Sequence, residues 1–121
     1  MLGGALGTVS RYLLTGATHR VFVSDFPYGT LVVNLLGSFV IGLLWGLWEN
    51  SDIHPNVRAF AFIGFLGGFT TFSTFALESL GLFRDGEIRA GVINILLQNV
   101  GGLILVLVGF LLARYIRQSA F

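Results

Sequence analysis

Three stretches of this 121-residue chain contain no Asp, Glu, Arg, Lys or His: residues 30–48, 59–77 and 90–113. Each approaches or exceeds the roughly 20 apolar residues needed to cross a hydrocarbon core about 30 Å thick. The segment Met1–Thr18 is equally apolar apart from Arg11 and is expected to be a fourth span. A cleavable leader would account for one apolar N-terminus but not for three further spans. Charged residues make up 11% of the chain, hydrophobic ones 55%, and mean hydropathy is +0.85. A soluble domain averages about 25% charged residues, so a soluble enzyme and a disordered tail are both excluded. With no cysteine there is no disulfide or thiolate metal site, and a net charge of +1 offers no nucleic-acid surface.

Lipid offers no partners to backbone N–H and C=O groups, so the spans are expected to be helices. The chain reads as an all-α membrane protein, one domain over residues 1–121 with transmembrane helices at about 1–19, 30–48, 59–80 and 90–113. The connections are short and turn-rich: Arg20, Asp25 and Pro27 in the first, Glu49, Asp52, His54 and Pro55 in the second, Arg84, Asp85, Gly86 and Glu87 in the third. Trp45 and Trp48 close the second span, where interfacial aromatics belong. Four spans place Arg58, Arg114 and Arg117 on one side of the membrane and Arg20, Arg84 and Arg89 on the other. Basic residues orient membrane proteins, and here they balance. Either a single arginine such as Arg11 tips the insertion, or the chain inserts both ways and pairs as an antiparallel homodimer.

Few polar side chains are left to carry chemistry. Asn34 lies in the second span, with Thr30 one turn earlier on the same face. A lone intramembrane asparagine most often fastens helices together, and Gly37, Gly42 and Gly46 read as packing positions. The third span carries Gly64-Phe65-Leu66-Gly67-Gly68-Phe69-Thr70-Thr71-Phe72-Ser73-Thr74-Phe75. A glycine pair followed by four hydroxyl residues is poorly suited to an unbroken helix, although it could also be a softened packing face. Interrupted helices are where membrane proteins bind ions. Phe72 and Phe75, three apart, share a face, and a phenyl ring turned edge-on offers weak positive character without a charge. In the fourth span Asn94, Gln98 and Gly102 form one stripe, with Asn99 beside it; such amides are costly unless they face the interior or water. Glu78 is the one acid within the spans, so a proton relay lacks its usual groups. Neutral donors, ring edges and an arginine suit an anion better than a cation.

Three blocks together resemble the Fluc (CrcB) family of bacterial fluoride channels: Gly4-Ala5-Leu6-Gly7…Arg11-Tyr12, Gly29-Thr30-Leu31-Val32-Val33-Asn34-Leu35-Leu36-Gly37, and Gly64 through Glu78. The resemblance covers essentially the whole chain, and its third block is the most specific. It implies an antiparallel, dual-topology homodimer with a broken third helix and two permeation paths, in a bacterial inner membrane. It further implies that Asn34 donates to the ion and that Phe72 and Phe75 present ring edges. Ser73 and Thr74 would add hydroxyls and Arg11 an attraction at the vestibule, while Thr30, Asn94 and Gln98 are placed on the fluoride path by their own positions in the spans. Backbone carbonyls of Gly67 and Thr70 from both subunits would hold a structural sodium ion. Glu78 matches a usual family position. The chain departs from the family pattern at Gly102, where a hydroxyl is usual.

The expected function is therefore passive, fluoride-selective export rather than an enzymatic reaction. A small proton-coupled exporter of the multidrug type is the alternative, but it needs a carboxylate in its first helix, where this chain has Arg11 and no acid before Asp25. A purely structural assembly subunit is a third possibility and predicts no ion flux.

Overall fold

The computed structural model describes residues 2–21, 26–48 and 52–120. Asp25, Glu49 and the side chain of Arg20 lie outside the described residues. All regular structure among them is helical: α1 (Leu2–Val21), α2 (Tyr28–Trp48), α3 (residues 55–69), α4 (Phe72–Arg84) and α5 (residues 88–120). Two helices contain π-helical turns, Ala59–Leu66 within α3 and Leu97–Gly101 within α5. Three stretches are long and apolar enough to cross a membrane: Tyr28–Trp48, Pro55–Arg84 and Ile88–Gln118. α1 has a spanning length of 20 residues but is less apolar, because Arg11 and its hydroxyl and glycine residues dilute the leucines. The family of spans makes this a multi-pass membrane protein.

The helices outrun the charge-free windows. Charged side chains are excluded from a hydrocarbon interior but not from helix ends, so α4 continues through Arg84 and α5 through Arg114 and Arg117. The third connection shrinks to a tight turn at residues 85–87. Gly86 adopts φ +80° there, and the Glu87 N–H donates to the Leu82 carbonyl at 2.9 Å. This is a glycine-terminated helix end.

Close glycine contacts hold the bundle. α2 packs most extensively along the C-terminal half of α5. A Cβ on Gly42 would run into the backbone of Val106, and one on Gly109 into the carbonyl of Phe39. The small residues thus alternate between the two partners, so the backbones approach where lipid supplies no hydrophobic drive for association. Gly46 is buried in the same seam against Phe110 and Ala113, whereas Gly37 is buried against the Thr70 methyl of the third span. α1 crosses α3 through a second seam, Gly3 and Gly7 against Gly64 and Gly68. The sequence reading offered a packing face for the glycines of the third span only as an alternative and gave Gly3 and Gly7 no such role, although both pairs are spaced by four.

The C-terminal end of α2 collects two basic side chains. Arg58 Nη2 donates to the Trp48 carbonyl at 2.8 Å and Arg117 Nη1 to the Gly46 carbonyl at 3.1 Å. Arg114 lies over the Phe110 ring, 5.9 Å from its centroid. Arg58, Arg114 and Arg117 thus gather at one end of the bundle. Trp45 and Trp48 meet Phe62 edge-on at the same end.

Candidate functional site

The third apolar stretch is interrupted at Thr70 and Thr71. Thr70 has φ −88° and ψ 160°, Thr71 φ −150° and ψ 118°; both are extended. Gly67 and Gly68 contribute little helix propensity before this point, and β-branched threonines favour extended backbone. Thr71 then starts α4 by capping it: its Oγ1 accepts from the Thr74 N–H at 3.3 Å. The threonine that begins the second half of the span was legible as a cap but was read only as one hydroxyl among four.

Asn34 fills the gap left in the backbone ladder. Its Oδ1 accepts from the Thr71 N–H at 2.8 Å, and its Nδ2 donates to the Thr71 carbonyl at 3.0 Å. The side-chain amide therefore pairs with one residue's main chain on both sides, as a neighbouring strand would. In a continuous helix the Thr71 N–H would donate to the Gly67 carbonyl and the Thr74 N–H to the Thr70 carbonyl. Both donors are diverted, one to Asn34 and the other to the Thr71 hydroxyl. The two carbonyls singled out in the sequence thus lose their ordinary helical donors. Gly67 is exposed and Thr70 half-buried.

From Asn34 a run of polar side chains reaches across three helices. Asn34 Nδ2 donates to Gln98 Oε1 at 2.7 Å, Gln98 Nε2 to Asn94 Oδ1 at 3.2 Å, and Asn94 Nδ2 to Ser79 Oγ at 2.9 Å. Ser79 Oγ donates to the Phe75 carbonyl at 2.9 Å. Asn94 is fully buried, and among the described residues no buried side-chain polar atom lacks a partner. Thr30, buried on α2, donates to Glu78 Oε1 on α4. Sequence placed Thr30 near Asn34 but supplied no partner for Glu78. Asn99 stands outside this run, its Nδ2 donating to the Ile95 carbonyl at 2.8 Å, but it lines a cavity together with Asn34 and Gln98.

Phe72 and Phe75 are in contact, with centroids 5.5 Å apart and planes at 60°. They differ sharply in surroundings: Phe75 is 7% exposed and Phe72 75%. A shared helical face guarantees proximity, not equal burial, because Phe72 projects beyond the edge of the single chain. A cavity of about 330 Å³ opens beside them, lined among others by Asn34, Gly67, Thr70, Thr71, Phe72 and Gln98. Arg11, Thr30, Ser73, Thr74 and Asn94 do not line it. Ser73 and Thr74 are exposed in the first turn of α4, and half-buried Arg11 makes no hydrogen bond or ion pair among the described residues. The structure therefore brings Asn34, Thr70, Gly67, both phenyl rings and Gln98 around one opening, while the other candidates lie apart from it.

Comparison with known proteins identifies the family of the chain. Residues 1–110 match the family described as CrcB-like protein, Camphor Resistance (CrcB). A Legionella pneumophila protein named Fluoride-specific ion channel FluC is 48% identical over 116 residues, covering 95% of this chain and 87% of its own. A protein of the same name from Dehalococcoides mccartyi is 46% identical over 121 residues, 98% of this chain and 92% of its own. A third, from Parabacteroides distasonis, is 42% identical over 116 residues, 96% and 91% of the two chains. With a family match across residues 1–110 and relatives similar over nearly their full length, the chain belongs to the CrcB family.

Proposed function

We propose that this protein is a passive, fluoride-selective channel of a bacterial cell membrane and that it works as an antiparallel homodimer. The observation that carries the reading is the interrupted span itself, stitched by Asn34 and flanked by two phenyl rings beside a cavity free of formal charge. The three relatives above, each named a fluoride-specific ion channel, support it.

Fluoride is small and strongly hydrated, so a path must replace its water with closely placed donors. Amide N–H groups and ring edges do this without a fixed countercharge that would hold the ion back. Both Asn34 Nδ2 hydrogens are engaged, one by the Thr71 carbonyl and one by Gln98 Oε1. An anion that takes up Asn34 replaces the Gln98 acceptor and leaves the backbone clamp intact. The driving force needs no nucleotide. Hydrogen fluoride enters a cell as a neutral acid and dissociates inside, and a negative interior favours anion exit by roughly 2.3 kcal/mol per 100 mV.

A second copy is supported by what one chain leaves open. Phe72, Gly67, Ser73 and Thr74 are all exposed beside the interruption, and the balanced arginines on the two sides favour a partner inserted in the opposite sense. A structural sodium ion fits the same place. The Gly67 and Thr70 carbonyls have lost their helical donors, and unwound carbonyls are suited to Na⁺. Bound there, the cation would offset the partial negative charge of these oxygens at the dimer centre.

Efflux from liposomes, followed with a fluoride electrode, tests the function. Rapid release without a proton gradient is the expected result. Release that requires a pH gradient would replace the channel with an exchanger, and no release would leave a structural subunit.

A further inference from the structure

We propose that Gln98 is a positioning residue, the central member of a one-way hydrogen-bond relay that locks the Asn34 amide against the interrupted backbone. The inference rests on the proposed channel function for its consequence in transport, but not for its geometry.

Both ends of the relay are main chain, and that fixes its direction. The Thr71 N–H can only donate, so the Asn34 atom facing it at 2.8 Å must be Oδ1. Asn34 Nδ2 then faces Gln98, which must present Oε1 at 2.7 Å and turn Nε2 toward Asn94. Asn94 in turn presents Oδ1 to Gln98 and Nδ2 to Ser79. At the far end the Phe75 carbonyl can only accept, so the Ser79 hydroxyl proton must point to it. The assignment made from either end is the same. No amide in the run can turn over without setting donor against donor or acceptor against acceptor.

Burial makes such a reversal expensive. Asn94 is 0% exposed and Ser79 5%, so no water can replace a lost partner, and an unmatched buried polar group is costly. Gln98 lies within a π-helical turn of α5, a local irregularity that often accompanies functional positions. It is also the one member of the relay between Asn34 and Ser79 that lines the cavity. Its carbonyl holds the second Asn34 hydrogen, while its own amide passes the constraint to the carbonyl of Phe75. In this way one glutamine couples the clamp at Thr71 to the first turns of α4, where the buried phenyl ring sits. Remove it, and Asn34 keeps its contact with Thr71 but gains freedom to turn away.

The test reads the clamp directly, through NMR-detected hydrogen exchange of the Thr71 amide in the full-length protein in lipid nanodiscs. Gln98→Met keeps the length but neither donates nor accepts, and is expected to speed Thr71 exchange about tenfold while leaving the amides of α1 unchanged. Gln98→Glu, at a pH low enough to protonate its carboxyl, is expected to restore the rate the wild type shows at that pH. The protonated carboxyl accepts from Asn34 through one oxygen and donates to Asn94 through the other. Ser79→Ala removes one hydroxyl at the far end and is expected to speed exchange about threefold, which keeps the test decisive if Gln98→Met fails to fold. Wild-type exchange in both Gln98→Met and Ser79→Ala would overturn the relay, as would Gln98→Glu behaving like Gln98→Met at acidic pH. Liposomes run in parallel separate the two claims. A wild-type protein that releases no fluoride overturns the channel reading alone, and the exchange rates still decide the relay.

Discussion

Asn34 and Thr71, 37 positions apart in the chain, are joined as if they were paired strands: the asparagine amide accepts from the Thr71 N–H at 2.8 Å and donates to its carbonyl at 3.0 Å. One side chain thereby satisfies both main-chain groups of Thr71, at a depth where lipid could not.

Replacing that side chain should loosen the fold as well as the site. Asn34→Ala removes three hydrogen bonds, and intramembrane bonds contribute about 0.6–2 kcal/mol each. The expected loss is roughly 2–4 kcal/mol, read as a lower unfolding temperature in detergent together with faster exchange at Thr71. An unfolding temperature equal to the wild type would show that α4 holds its start without the clamp.

The two phenyl rings should separate stability from transport. Phe72 is mostly exposed in one chain and Phe75 buried. Phe72→Ile is expected to cut fluoride efflux at least tenfold without lowering the unfolding temperature, whereas Phe75→Ile should lower both. Undiminished efflux in both variants would remove the rings from the path.

Close packing predicts opposite signs at two glycines. Gly42→Ala drives a methyl into the Val106 backbone and is expected to destabilise by about 1–3 kcal/mol, as overpacking does. Gly81 has no neighbour within 4 Å of an added Cβ, so Gly81→Ala is expected to stabilise α4 by about 0.5–1 kcal/mol. Thermal unfolding of the pair side by side checks both signs.

Sodium should act on the backbone and not on the threonine side chain. Exchanging Na⁺ for a bulky organic cation is expected to lower the unfolding temperature, because a ligand that binds only the folded state stabilises it. Thr70→Ser keeps the carbonyl and should retain the full sodium response. Thr71→Ala should cost about 1 kcal/mol through loss of the α4 cap at any sodium concentration. A Thr70→Ser protein indifferent to sodium would count against the carbonyl site.

How much of this could be read beforehand differs residue by residue. The glycine pair and the threonines at 67–71 announced a weak point in the third span, because propensity and capping are local properties. Gly42 and Gly46 announced a seam, since small residues at helical spacing imply close neighbours whoever those neighbours are. Ser79 gave no such sign, being one hydroxyl in an apolar run, and became part of the site only because α5 places Asn94 beside it. The pairing of Thr30 with Glu78, 48 positions later, was equally silent. So was the difference between Phe72 and Phe75, which depends on where the bundle ends rather than on their spacing.

The sequence by itself determined that this chain lives in a bilayer, that it is helical there, and that its third span has a weak point. Those outcomes follow from composition, from the absence of charge over spanning lengths, and from the conformational preferences of glycine and threonine. Tertiary structure alone decided which amide closes the interruption and which way every amide behind it must face. Hydrogen bonds between helices depend on distances of a few tenths of an ångström, and those distances are set only once the glycine seams have brought the backbones together.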